Sequence, residues 1–326
     1  MKKSNKKGLI IALVIVCVIV IAVVACMPKK DNKLEKTSLR LKWVSQAQFA
    51  GYYSALQEGY YEDEGLSVKI DPAGPNISPI QSVVSGVNEF GIAGAEQIIS
   101  AIDNGSPIVA IAVMYRETPE ALVSKKSLNI TSPKDLEGKT VGVVYGDDEN
   151  LYRLFLKNSG VDTESINEVP AITGISQVLT DQVDAKMAYE MNDAVLLGLE
   201  GEDVNLLKFR DYGVKVYADT IFTTKEMIEK NPEKVRKFLK ASIKGWKYAI
   251  ENPETSVKQL VEINPALNYD HQLGYLNGSI PLIMTDEEIG VSDSKVWKSM
   301  IDNLYDNKII KKKIKASDVF TNEFLK

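Results

Sequence analysis

Histidine and cysteine carry most nucleophilic and metal chemistry, and this sequence nearly lacks both: it has one histidine, His271, and two cysteines, Cys17 and Cys26, in 326 residues. That excludes most metal sites and most Ser-His or Cys-His catalysis. Aromatics, amides and carboxylates remain. Trp43, Phe49, Tyr52 and Tyr53 cluster around Gln46, and flat rings with one or two amides suit planar heterocycles. Glu190 follows Met187-Ala188-Tyr189 at the end of an expected strand, where a carboxylate can accept two hydrogen bonds from an amidine-like edge. Arg116, after Met114-Tyr115, either neutralises an acid near such a site, holds a ligand carboxylate, or lies on the surface. Tyr145-Gly146 ends another strand and Asp147-Asp148-Glu149 opens the next helix. A helix start donates N–H groups to anions, but three carboxylates there repel an anion by about 1 to 4 kcal/mol each, depending on exposure. Helix capping is the ordinary role of one such acid and a poorer account of three. His271 lies in a helical region and reads as a satisfied or surface histidine.

Composition is that of a globular chain, 44% hydrophobic and 25% charged, which excludes disorder, collagen-like repeats and a multispan membrane protein. Net charge is −5 and no long Lys/Arg run occurs outside the termini, so a nucleic-acid partner is excluded. The N-terminus is distinct. Lys2, Lys3, Lys6 and Lys7 precede an uncharged stretch from Gly8 to Ala25 that ends at Cys26, the pattern of an export signal. Val23-Val24-Ala25-Cys26 resembles a bacterial lipobox, whose cysteine receives diacylglycerol. A retained membrane anchor is the alternative, since the apolar stretch nearly spans a bilayer. Cleavage before Cys26 would remove Cys17 and four lysines, leaving no disulfide and a net charge of −9 from 35 basic and 44 acidic residues. Polar, Lys-rich Met27 to Lys36 reads as a tether.

From Ser38 onward, strand-like and helix-like segments alternate. Leu39, Leu41 and Trp43 alternate with Arg40 and Lys42 as a strand, and Phe49, Tyr52, Tyr53 and Leu56 follow at helical spacing up to Gly59. Further strands are expected at Leu66–Ile70, Phe90–Ala93, Ile108–Met114, Thr140–Tyr145 and Ala185–Tyr189. This βαβα order predicts parallel α/β sheets, and about 290 folded residues predict two lobes. The last third is helical: Asn231-Pro232-Glu233 is a helix start, and Val235, Phe238, Leu239, Ile243, Trp246 and Ile250 form one apolar stripe that reads as core.

Leu41 to Tyr53, continued by Glu58-Gly59-Tyr60-Tyr61-Glu62-Asp63-Glu64-Gly65-Leu66, resembles the opening of the ABC-transporter solute-binding proteins for sulfonates and thiamine-pyrimidine precursors, a family that includes the fungal thiamine-pyrimidine synthase. The resemblance continues through Ser85–Ile92, Ser132–Gly142, Val183–Glu190 and Asn231–Leu239, and so covers residues 38–265. It implies an α/β, two-lobed periplasmic-binding-protein-like fold (type II) with a helical C-terminal segment, binding its ligand between the lobes and feeding an ABC permease and ATPase at the membrane. The implied layout is a lipoprotein signal over 1–25, a tether over 26–37, one lobe from 38–122 plus 222–326, and a second from 123–221. Within it, Trp43, Gln46, Phe49, Gln97, Arg116, Tyr145, Gly146 and Glu190 are the ligand-site candidates and Cys26 the lipidation site. Relatives often carry a histidine where this chain has Phe49, and pyrimidine binders use a carboxylate where it has Glu190.

The synthase-like enzymes of the family hold pyridoxal phosphate on a lysine and consume a histidine. Those positions here read Ala93 and Gln97, and the cysteine cluster expected near Ala218–Thr224 contains no sulfur. Without an amine or imidazole there, neither a cofactor nor that catalysis is expected. The sequence thus predicts an extracytoplasmic, lipid-anchored receptor for a neutral or cationic planar heterocycle, a thiamine-pyrimidine precursor first, with a sulfonate or nitrate-type receptor as the alternative. Replacing Cys26 by Ser is expected to abolish incorporation of labelled palmitate and leave the precursor uncleaved; unchanged labelling would remove Cys26 as the lipid site.

Overall fold

Thr37 and Leu39 are buried while Ser38 and Arg40 are half-buried, and Glu35–Arg40 forms strand β1, paired in parallel with β2 (Leu66–Asp71) from Glu35↔Leu66 to Arg40↔Asp71. The strand expected over Leu39 to Trp43 therefore starts earlier, at Glu35. Beyond Arg40, single backbone bonds to Asp71 and from Ala73 hold Leu41 and Trp43 in line without a continuous ladder. The protein is described by a computed structural model over residues 34–74, 76–146, 148–285 and 288–325. The candidate signal segment and Cys26 lie outside these residues. Glu35 to Lys326 forms one compact unit.

The other strands are β3 (Phe90–Ala93), β4 (Ile108–Val113), β5 (Glu120–Lys125), β6 (Thr140–Val143), β7 (Asn167–Pro170), β8 (Ala185–Tyr189), β9 (Val204–Lys208) and β10 (Thr220–Thr224). They make two five-stranded sheets, ordered β2-β1-β3-β10-β4 and β7-β6-β8-β5-β9. The purely parallel arrangement expected from the βαβα order is corrected at two places: β10 runs antiparallel to β3 and β4, and β5 antiparallel to β8 and β9. These are the strands that follow each passage of the chain from one sheet to the other. A chain crossing directly between facing C-terminal strand ends must enter the new sheet at that end, and so runs against its neighbours. Only strands returned by a helical crossover stay parallel.

The longer helices are α1 (Ala50–Gln57), α2 (Ala95–Asp103), α3 (Glu149–Ser159), α4 (Glu190–Leu199), α5 (Pro232–Glu251), α6 (Pro253–Ile263), α7 (Tyr269–Ile283) and α8 (Ser294–Asp306). Gly59 takes a left-handed φ of 71°, just past the end of α1, as its position predicted. Pro232 opens α5 at its first turn, and Val235, Phe238, Leu239 and Trp246 of its stripe are fully buried. Phe238 stacks on Phe90 of β3 at 4.0 Å, fixing α5 against the first sheet. The core on the other side mixes Ala110 and Phe222 of the first sheet with Val141, Met187 and Leu207 of the second, so the two sheets share buried apolar contacts.

Helices α1 and α5 cross at bare backbone. A Cβ at Gly245 would lie 2.2 Å from the Gly51 carbonyl oxygen, and one at Gly51 would lie 2.2 Å from the Trp246 ring. Neither neighbour is a flexible side-chain end, so Gly245→Ala must separate the helices. It is expected to cost about 1–3 kcal/mol by urea denaturation; an unchanged midpoint would contradict this close approach.

Candidate functional site

Because the crossing strands bring the C-terminal strand ends together, a cavity of about 340 Å³ opens there. Lys42, Trp43, Gln46 and Gln48 reach it from the segment after β1. Val144, Asp148, Ala171 to Gly174, Lys186 to Tyr189, Asn192 and Asp193 reach it from the second sheet and its helices, and Tyr275 from α7. Glu120, the first residue of β5, closes one side. Trp43, Tyr189 and Tyr275 supply flat apolar surface.

The polar groups form two linked sets. Lys42 Nζ donates to Tyr189 Oη at 2.8 Å and lies 3.6 Å from Asp219 Oδ1. Gln48 Nε2 donates to both Asp219 oxygens at 3.1 and 2.9 Å, while Gln48 Oε1 accepts from Gln46 Nε2 at 2.8 Å. Burial alone would lower the Lys42 pKa, but Asp219, Asp148, Glu96 and Glu120 outweigh it and hold the ammonium more firmly than in a free lysine. Burial raises Asp219 above the usual carboxylate range, with Lys42 opposing. On the opposite wall Lys186 Nζ meets Asp193 Oδ2 at 2.5 Å, and Asn192 Nδ2 donates to Asp193 Oδ1 at 2.9 Å. His271 sits behind, 3.0 Å from Asn192 Oδ1 and 3.0 Å from Gln272 Nε2, and burial lowers its pKa. It is a satisfied histidine that orients the wall.

The candidate residues separate. Trp43 and Gln46 line the cavity. Phe49 is 0% exposed, because the 3₁₀ turn Ala47–Phe49 that brings Gln48 to the cavity turns Phe49 into the core. Gln97 caps α2, its Oε1 accepting from Gly94 N at 3.2 Å. Arg116 donates to the Val291 carbonyl, lies over the Tyr217 ring, and borders a separate cavity with Glu117 and Arg210. Tyr145 and Gly146 occupy the exposed turn after β6, where Gly146 adopts a φ of 111°, while their neighbours Val144 and Asp148 face the cavity. Of the acidic helix start, Asp148 lines the cavity, Glu149 pairs with Arg153, and Asp147 lies outside the described residues.

Glu190 begins α4 and turns away from the cavity, to Arg210 Nη2 at 2.9 Å and Lys208 Nζ at 3.0 Å. The residue before it, Tyr189, faces inward and pairs across the ladder with Glu120. Directly paired residues on antiparallel strands share a face, so Glu120 stands beside Tyr189 in the cavity. Sequence reasoning missed Glu120, Lys42, Lys186 and Asp193. The available signal was a charge inside an otherwise apolar strand, as at Glu120 before Ala121-Leu122-Val123 and at Lys186 within β8. Burial raises the Glu120 pKa well above the ordinary range, Asp148 adds to it, and Lys42 opposes.

The family pattern described as NMT1/THI5 like matches residues 46–256. Among relatives, the riboflavin-binding protein RibY of Chloroflexus aurantiacus is 26% identical over 91% of this chain and 88% of its own. The formylaminopyrimidine-binding protein of Halalkalibacterium halodurans is 25% identical over 90% and 91%. The 4-amino-5-hydroxymethyl-2-methylpyrimidine phosphate synthase of Legionella pneumophila is 24% identical over 89% and 92%. The periplasmic aliphatic sulphonate binding protein SsuA of Escherichia coli superposes with a TM-score of 0.71 at 18% identity, over 90% of this chain and 99% of that one, and confirms the periplasmic-binding-protein fold.

The folded protein keeps a proton on Glu120 at a pH where the unfolded chain has released it. This carboxyl therefore favours folding at and below the ordinary glutamate range, and that contribution is lost as pH rises toward its elevated pKa. Glu120→Gln, which cannot ionise, should make the ligand-free protein more stable than the parent at about pH 8, by about 1 kcal/mol or more, and no more stable at about pH 4. Parallel stability curves for the two proteins would contradict it.

Proposed function

We propose that this chain, which belongs to the NMT1/THI5-like family, is the extracytoplasmic substrate-binding protein of an ABC importer and takes a small planar heterocycle, a thiamine-pyrimidine precursor first, in the cavity between its two sheets. The observation that carries this reading is the composition of that cavity: three aromatic rings from different elements, with Glu120, Asp148 and Asp193 facing two lysines that are already engaged by Asp219, Tyr189 and Asp193. Flat apolar walls suit a ring, and surplus carboxylate suits one that is neutral or cationic. A sulfonate would meet the Asp148 carboxylate at about 1 to 4 kcal/mol of repulsion, which weighs against the sulfonate alternative. The printed names of the two relatives that bind riboflavin and formylaminopyrimidine support a heterocycle as well.

Synthase chemistry is disfavoured on the residues themselves. Ala93 is fully buried with no amine, and Gln97 is spent on capping a helix. Lys42 is held as a charged ammonium by surrounding carboxylates and is therefore a poor nucleophile for a Schiff base. In the proposed arrangement the two sheets are the centres of two lobes, exchanged at the passages between β4 and β5 and between β9 and β10. Cys26, if lipidated, would tether the receptor to the outer face of the cell membrane beside its permease and ATPase. Among the described residues no helix is long and apolar enough to cross a membrane.

A thermal-shift panel of aminopyrimidines, riboflavin, purines and alkanesulfonates tests the reading. A ligand at about 100 times its Kd should add about 2.7 kcal/mol of stability, and the compound should be recovered unchanged. Stabilisation by sulfonates alone, or conversion of the pyrimidine, would overturn it. Trp43→Ala should weaken the bound ring by about 1 kcal/mol or more in the same titration; full affinity would remove Trp43 from the contact surface.

A further inference from the structure

Glu120 is 5% exposed and borders the cavity. Its backbone N–H is bonded to Thr118 Oγ1 at 3.2 Å, but its carboxylate has no hydrogen-bond or ion-pair partner among the described residues. Buried polar groups are as a rule partnered, and an unpartnered carboxylate is among the costliest exceptions. The groups facing it from the packed elements deepen the cost. Asp148 stands at the start of α3, Glu96 on α2, and Asp219 before β10, and all raise its pKa. Lys42 alone opposes them, and it is already shared with Tyr189 and Asp219. Among the described residues no group of three His, Cys, Asp or Glu side chains could hold a metal ion.

We infer that Glu120 is the group on which this cavity recognises its ligand, through a hydrogen bond that holds one shared proton, and that the ligand is therefore a ring with a basic nitrogen beside an exocyclic N–H. The inference rests on the receptor reading above and narrows its ligand. The proton balance is simple. Glu120 and the ring nitrogen together hold one proton at the affinity maximum. In the complex that proton lies between the glutamate oxygen and the ring nitrogen, while the other glutamate oxygen accepts the exocyclic N–H. Below both pKa values each partner carries a proton and one must leave; above both neither does and one must be gained. Affinity peaks between the two and falls on either side. Lys42 and Tyr189, both held above their ordinary values, do not titrate in that interval.

The test is calorimetric titration of the full chain with 4-amino-5-hydroxymethyl-2-methylpyrimidine, riboflavin and taurine, across pH and in two buffers of different ionisation enthalpy. The expected result is a bell-shaped affinity for the aminopyrimidine, with buffer-dependent heat on both limbs. Glu120→Gln should bind about tenfold or more weakly at the peak and lose the alkaline limb, since its amide still donates to the ring nitrogen but cannot ionise. Equal affinity and an unchanged pH profile in that variant would overturn the inference and leave the receptor reading standing. So would tight binding of riboflavin without the aminopyrimidine. Binding of taurine alone would overturn both. Should the variant fail to fold, the parent protein decides by itself, because a flat pH profile for the aminopyrimidine overturns the inference.

Discussion

The chain passes directly between two sheets whose C-terminal strand ends face each other, and this one constraint orders most of what surrounds the cavity. It forces β5 and β10 to run against their neighbours. It places Glu120 at the mouth of one crossing strand and Asp219 at the mouth of the other. It also brings the segments after β1, β6, β7 and β8 to a common space, because in such sheets those segments leave at the C-terminal ends. The site is thus a consequence of topology, with its chemistry added by the few side chains that happen to leave the strands there.

Those side chains concentrate charge where water is scarce. Lys42 serves Tyr189 of the second sheet and Asp219 at the entry to the first, so one ammonium spans the gap between the sheets. Gln48 completes Asp219, and Gln272 joins His271 on the second wall to the Ala47 N–H at 2.6 Å. Among the described residues the buried Glu120 side chain has no hydrogen-bond or ion-pair partner. A satisfied network holds its geometry rigidly, while an open carboxyl group within it costs stability when no ligand is present. That trade of stability for recognition is a familiar property of binding sites.

Away from the cavity, rigidity comes from close helix contacts. Gly51 and Gly245 let α1 and α5 touch backbone to backbone, and Gly274 and Gly278 of α7 admit Val195 and Met191 of α4. The second pair joins the helix that follows β8 to the helical C-terminal segment, and the same surface carries His271 and Asn192. The wall of the cavity is therefore anchored by packing that small residues alone permit.

Much of this protein was legible in its sequence. Short apolar runs located β3 and β8 to the residue, and a helix-start signal with an apolar stripe located α5 from Pro232, because burial leaves its mark on the local chain. The order of those elements gave the fold class, and the scarcity of histidine and cysteine limited the chemistry. Trp43, Gln46 and the acid at the start of α3, singled out in the sequence at strand and helix ends, line the cavity. What the sequence could not decide was which of two adjacent residues faces inward. Glu190 and Tyr189 differ by one step in the chain, and the ladder that turns Tyr189 to the cavity brings Glu120, some seventy residues away, beside it. Phe49 and Gln48 exchange roles in the same way across one 3₁₀ turn. Such choices depend on register and on long-range pairing, which exist only once the tertiary structure has formed.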